Sequence, residues 1–234
     1  NGAVPSEQTS RTVANPIVTR IEKVAKDSTL LNYTFPTLLV LVVMFTSLLL
    51  GTILVMMEKN SPAFLRNYFL PIKKTTFIIS IYLTNLILIL VQIIILLGIS
   101  LLFLKESLPA LPAMALILFI SASVFTFLGM AIGYLFASEE TGVLGSISAG
   151  SILLFVSGVV LPIEAISPAL REIAAFNPFV LSEKIIREIF IFGSSLTSVW
   201  PDVVILIGYA VVLFLVILII ESILHLQLVH KFLK

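Results

Sequence analysis

The chain has 234 residues, 59% apolar and 12% charged, with 14 Lys and Arg against 13 Asp and Glu and no cysteine. Soluble domains carry about 45–50% apolar and about 25% charged residues, so this balance excludes an ordinary soluble domain and points to a polytopic membrane protein. A net charge of +1 leaves no electrostatic footprint for nucleic acid, and the lack of cysteine excludes disulfides and thiolate metal sites while leaving the redox compartment open.

The polar stretch 1–32 begins "NGAVPSEQTS", with neither an initiator Met nor a signal-peptide pattern. It reads as a processed product or the later part of a longer chain. Asn15-Pro16 can start an amphipathic helix to about Lys26, with Ile17, Ile21 and Val24 on one side. Beyond it lie five uncharged runs: 35–57, 75–104, 107–138, 141–163 and 203–220, the last extending to about Leu224. A helix needs about 20 residues to cross roughly 30 Å of hydrocarbon. Barrel strands alternate over short segments, and these runs are long and continuous. The predicted fold is therefore all-α, with five transmembrane helices over a domain at 33–234.

Five spans put the two ends on opposite sides. Lys59, Arg66, Lys73 and Lys74 crowd the first connection, and Lys231 and Lys234 lie in the C-terminal tail. Lys105, Arg171, Lys184 and Arg187 fall on the other side, joined there by Arg20, Lys23 and Lys26 of the N-terminal tail. The density in the first connection decides the expected orientation, with that connection and the C-tail cytoplasmic.

That connection reads "MMEKNSPAFLRNYFLPIKK" from Met56 to Lys74. Ser61-Pro62 is a good helix start, and Pro71 disfavours helix at Leu70. Between them Phe64, Leu65, Tyr68 and Phe69 share a face, with Arg66 and Asn67 opposite. The pattern fits an amphipathic helix of about two turns at the membrane surface, either a plain connector or a docking element. Along the second run, Asn85 and Gln92 are spaced to share a face, as glue between helices or as lining of a path. Gly129 with Gly133, and Ser146 with Gly150, are small-xxx-small pairs, suited to packing within the chain or between two copies.

Pro162 should end the fourth run. Pro168 can start a short helix over 168–176, and Asn177-Pro178 can start another, closed by Gly193. Neither is long enough to span, so they suit a re-entrant or interfacial hairpin. On the second helix, Glu183–Arg187 and Lys184–Glu188 are i,i+4 pairs expected on a polar face. Glu221 is the acid nearest a span interior; it either snorkels or marks a functional site. The sequence has no G-x-x-x-x-G-K-[ST], hence no P-loop, and no H-E-x-x-H. Its histidines are His225 and His230, too few for a metal or haem array.

Glu58-Lys59, Arg66-Asn67 and Pro71-Ile72, at their spacing, resemble the first cytoplasmic loop of ABC exporter permeases of the type-2 class. "FLGMAIGYLFASEETGVL" and "FVSGVVLPIEAISPALREIAAFNPFVLSEKIIREIF" are similar to that family's later segments, so the resemblance covers about Tyr33 to Leu224. It implies a membrane subunit of an exporter, working with a second permease copy or a related permease. Separate ATP-binding subunits would hold ATP and Mg²⁺, with no cofactor on this chain. It implies a coupling surface for those subunits at Glu58, Lys59, Phe64, Arg66 and Asn67. An extracytoplasmic re-entrant gate is implied at Pro162, Glu164, Asn177 and Pro178. A further span before an extracytoplasmic domain ending at about residue 32, and location in a prokaryotic plasma membrane, are also implied. The family's cargoes include lipids, glycans, drugs, peptides and ions, and the scarcity of buried charge favours an amphipathic or hydrophobic one. The alternative is a non-transporting membrane scaffold or assembly subunit. An intramembrane enzyme is disfavoured by the lack of ionisable groups in the spans.

Overall fold

The computed structural model describes residues 30–61, 74–103, 110–159 and 174–232. These residues form six helices and no strand: α1 (Leu30–Lys59), α2 (Lys74–Phe103), α3 (Leu111–Leu135), α4 (Glu139–Val156), α5 (Pro178–Phe192) and α6 (Leu196–Phe232). All but α5 are long and apolar enough to cross a membrane, which matches the five spans expected. The N-terminal tail and the helix predicted over 62–70 lie outside the described residues. So does most of the arm predicted over 168–176.

Local chemistry explains the boundaries. Ser138 caps α4 by accepting from the Thr141 N–H at 3.3 Å, and Glu139 and Glu140 complement the positive end of that helix. Asn177 caps α5 by accepting from the Phe179 N–H at 2.9 Å, with Pro178 in the first turn. Gly193, at φ 63°, closes α5 in the left-handed conformation.

Two boundaries differ from the sequence expectation. α4 stops at Val156, short of Pro162, because the Ser157 hydroxyl turns back onto Leu154 O at 2.5 Å and Gly158 takes φ 80°. α6 begins at Leu196, ahead of 203, because Pro201 and Asp202 lie inside the helix instead of bounding it.

α3 is the centre of the bundle and packs against each of the other five helices. α1 is its closest partner and runs beside it in the same direction. Lipid tails are as apolar as Leu, so helices in a membrane hold together by close packing and hydrogen bonds, without a hydrophobic drive between them. Glycine supplies the close packing here. A Cβ on Gly129 would collide with the backbone of Leu48, and one on Gly51 would sit 2.7 Å from Thr126 O. At Gly133 it would lie 2.9 Å from Val55 Cβ. Both small-xxx-small pairs are thus used within the chain, since Gly150 faces the Phe45 ring and Ser146 meets Thr52.

Buried apolar side chains form two clusters. The larger, with Met44, Leu48, Phe125 and Phe179 fully buried, joins α1, α3 and α5. The smaller surrounds Val55, Met130, Tyr134 and Ile217 near the far end of α1. Stacked Tyr82 and Phe127, with ring centroids 4.5 Å apart, bind α2 to α3 there.

The collision at Gly129 is with backbone, which cannot swing aside. Gly129→Ala should therefore destabilise the purified protein by about 1–3 kcal/mol, read as earlier loss of the monodisperse peak on heating in detergent. Gly98→Ala and Gly208→Ala, where a Cβ meets nothing within 4 Å, should change stability by less than about 1 kcal/mol.

Candidate functional site

Hydrogen bonds between helices run the length of the bundle. Thr46 Oγ1 lies 2.8 Å from Gln92 Oε1, joining α1 to α2. The buried Asn85 donates from Nδ2 to Thr126 Oγ1 at 2.9 Å, joining α2 to α3. Tyr82 donates to Ser123 Oγ at 2.8 Å. Thr52, which sequence reasoning missed, donates to Gly129 O at 2.7 Å and meets Ser146 Oγ at 2.5 Å, so one hydroxyl gathers α1, α3 and α4. Its signal was present: position 52 lies on the α1 face that carries Leu48, Gly51 and Val55. The Asn85 and Gln92 amides thus face neighbouring helices. Asn85 Oδ1 and Gln92 Nε2 have no partner among the described residues.

At the end of the bundle where α1 meets the 62–73 connection, Lys59 points inward. Its amine donates to Gly133 O at 3.0 Å, Tyr134 O at 3.3 Å and Phe136 O at 2.7 Å. These carbonyls end α3, whose last turn has no basic residue of its own. The last turn of any helix leaves carbonyls without an intrahelical partner and carries partial negative charge, so a cation from α1 suits the place. Tyr134 is buried close by, within electrostatic reach of Glu58 and Glu221. Glu221 is buried on α6. Glu58, half-buried, adjoins Lys59. Phe64, Arg66 and Asn67 lie outside the described residues.

The opposite end is organised by α5. Asn177 donates from Nδ2 to Leu153 O at 2.6 Å while its Oδ1 caps α5, so one buried amide ties the last turn of α4 to the first turn of α5. Tyr209 of α6 donates to Phe176 O at 2.6 Å, and Ser121 of α3 donates to Ser182 Oγ at 2.8 Å. Phe179, Ile185, Ile186 and Ile189 are buried against the bundle. Pro162 and Glu164 lie outside the described residues.

The charges on α5 are arranged differently from the expected polar face. Glu183 is buried, pairs with Arg187, and accepts from Thr37 Oγ1 of α1 at 2.8 Å. Lys184 forms its ion pair with Asp202 of α6 at 2.7 Å rather than with Glu188 on its own helix. The tertiary partner wins because α6 starts early enough to present Asp202. The Thr37–Glu183 bond pins α5 to α1 on one side, and the Lys184–Asp202 pair pins it to α6 on the other. The hydrogen bond to Asp202 raises the Lys184 amine above its ordinary value, against a smaller opposing effect of burial.

A cation with a raised pKa stabilises the fold below its ordinary pKa and loses that contribution as pH rises through the raised one. The Lys184–Asp202 pair should therefore hold at full strength through neutral pH. Being half exposed, it should cost less than about 1 kcal/mol when Lys184 becomes Met. Glu183→Ala removes the carboxylate that faces both Arg187 and Thr37 in a part-buried setting. It should cost about 2–3 kcal/mol in the same thermal assay.

Among the described residues no group of His, Asp or Glu converges to hold a metal ion. One end is bolted by Lys59, the other by Asn177, the Thr37–Glu183 bond and the Lys184–Asp202 pair. Residues 2–219 match the family described as ABC-2 family transporter protein. No curated protein and no solved structure matches the chain. That match spans nearly the whole sequence and agrees with the five membrane-crossing helices, so the chain belongs to the ABC-2 transporter family, as a membrane permease.

Proposed function

We propose that this permease is the membrane half of an ATP-driven exporter. Separate subunits bind ATP and Mg²⁺ and dock on the 62–73 connection, through Phe64, Arg66 and Asn67. Two copies of the chain, or the chain and a related permease, form the path. The family match supports the permease role. The Lys and Arg density around the 62–73 connection supports placing it, with the C-terminal tail, in the cytoplasm of a prokaryotic cell.

The observation that carries the two-copy reading is the state of α4. It is the least apolar of the five candidate spans, yet it is among the least covered by the rest of the chain. Thr141, Ser148 and Ser151 are exposed along it, beside Leu144, Ile147 and Phe155. A polar span suits a place against protein or water, whereas α6, equally uncovered, is the most apolar and suits lipid. A second permease against α4 removes the mismatch. Under this reading α5, with Asn177 and Pro178 at its start, is one arm of a gate on the outer side. Its ties to Thr37 of α1 and Asp202 of α6 close that gate at rest.

Purification of the full-length protein from native membranes tests the docking reading by mass spectrometry. A stoichiometric partner with a P-loop is expected, and changing Phe64 and Arg66 to Ala together should strip it away while the permease remains folded. A monodisperse permease that never carries an ATP-binding partner would overturn the exporter reading in favour of a membrane scaffold.

A further inference from the structure

Lys59 joins three parts of the bundle through one side chain. Its amine is turned onto three carbonyls of the α3 terminus, of which Phe136 O belongs to the turn entering α4. Just above it, Gly133 lets α1 approach α3 until a Cβ would touch Val55. Thr52 then ties α1 to both α3 and α4. At this end stacked and tilted rings of Tyr82, Phe127 and Phe214 hold α2 and α6 to α3.

We infer that Lys59 is a transmission strut: it fixes the end of α1 to the end of α3 and the α3–α4 turn, so that a displacement of the 62–73 connection moves α1, α3 and α4 as one body. The inference rests on the exporter reading only for the source of the push. Three donors on one ammonium allow the three carbonyls to be held at once. A guanidinium carries donors enough to do the same, whereas a thioether side chain of similar length has none. Lys59 is therefore a positioning residue whose charge and donors, rather than its bulk, set the separation of the helix ends.

These 234 residues hold no cysteine, so spin labels can be placed among them at chosen positions, any cysteine elsewhere in the full-length protein being changed to Ser. One pair, Asn60→Cys and Leu135→Cys, sits on exposed positions at the two bolted ends. A second pair, Leu38→Cys and Leu116→Cys, sits on exposed positions of α1 and α3 at the opposite end and reports whether the fold survives. The full-length protein is labelled in lipid nanodiscs and dipolar broadening is read without any partner. Broadening at the Asn60–Leu135 pair should be lost in Lys59→Met and kept in Lys59→Arg, while the distant pair is unchanged in both.

Unchanged broadening at the Asn60–Leu135 pair in Lys59→Met would overturn the strut, whatever binds the 62–73 connection. Loss at both pairs would also overturn it, since the side chain would then be holding the whole fold rather than one joint. Loss confined to the Lys59 end would uphold the strut, and a permease that never carries an ATP-binding partner when purified from native membranes would then remove the exporter reading alone.

Discussion

The contact of α1 with α3 is the constraint on which the rest of the bundle depends. Apolar side chains in a bilayer gain nothing from leaving lipid for one another, so two helices must touch closely to gain from touching at all. Gly51, Gly129 and Gly133 remove the side chains that would hold the backbones apart. Closeness then brings Thr52 within reach of Gly129 O and Ser146, and brings Lys59 within reach of the α3 terminus. Every later feature is arranged around that pair: α4 lies against α1, α5 closes one end, and α2 and α6 pack on the flanks of α3.

The two ends are built from different chemistry. At the Lys59 end a single cation satisfies carbonyls that a helix terminus leaves over. At the α5 end an amide, hydroxyls and the Lys184–Asp202 ion pair connect a short helix to four others. A carboxylate held by Thr37 and Arg187 together is a stronger tie than an exposed pair such as Lys184–Asp202.

Much of the fold was legible in the sequence because a membrane demands long uncharged helices, and five such runs leave few alternatives. Caps at Asn177-Pro178 and Gly193 were legible because those residue types satisfy helix ends in only a few ways. The end of α4 was not. An apolar run continues past Ser157-Gly158 to Pro162, and only the Ser157 back-bond shows the helix stopping. Helix-local charge rules also misplaced Lys184, since Asp202 is 18 positions away in sequence and becomes a neighbour through tertiary folding. For Lys59 the sequence offered a charge at the end of a span, and its inward direction depends on how closely α1 approaches α3. The docking role proposed for Phe64, Arg66 and Asn67, and the gate role expected of Pro162 and Glu164, rest on the family resemblance and the sequence pattern.

The exposed, comparatively polar face of α4 is where the two-copy proposal places the second permease. Disulfide trapping between copies bearing Ser148→Cys, in native membranes, tests that most directly. If two permease copies meet on α4, a covalent dimer forms readily there. Ile94→Cys, at 70% exposure on the apolar α2, stays monomeric. Trapping through Ile94→Cys alone, or through both positions equally, would contradict an α4 interface and leave that face to lipid.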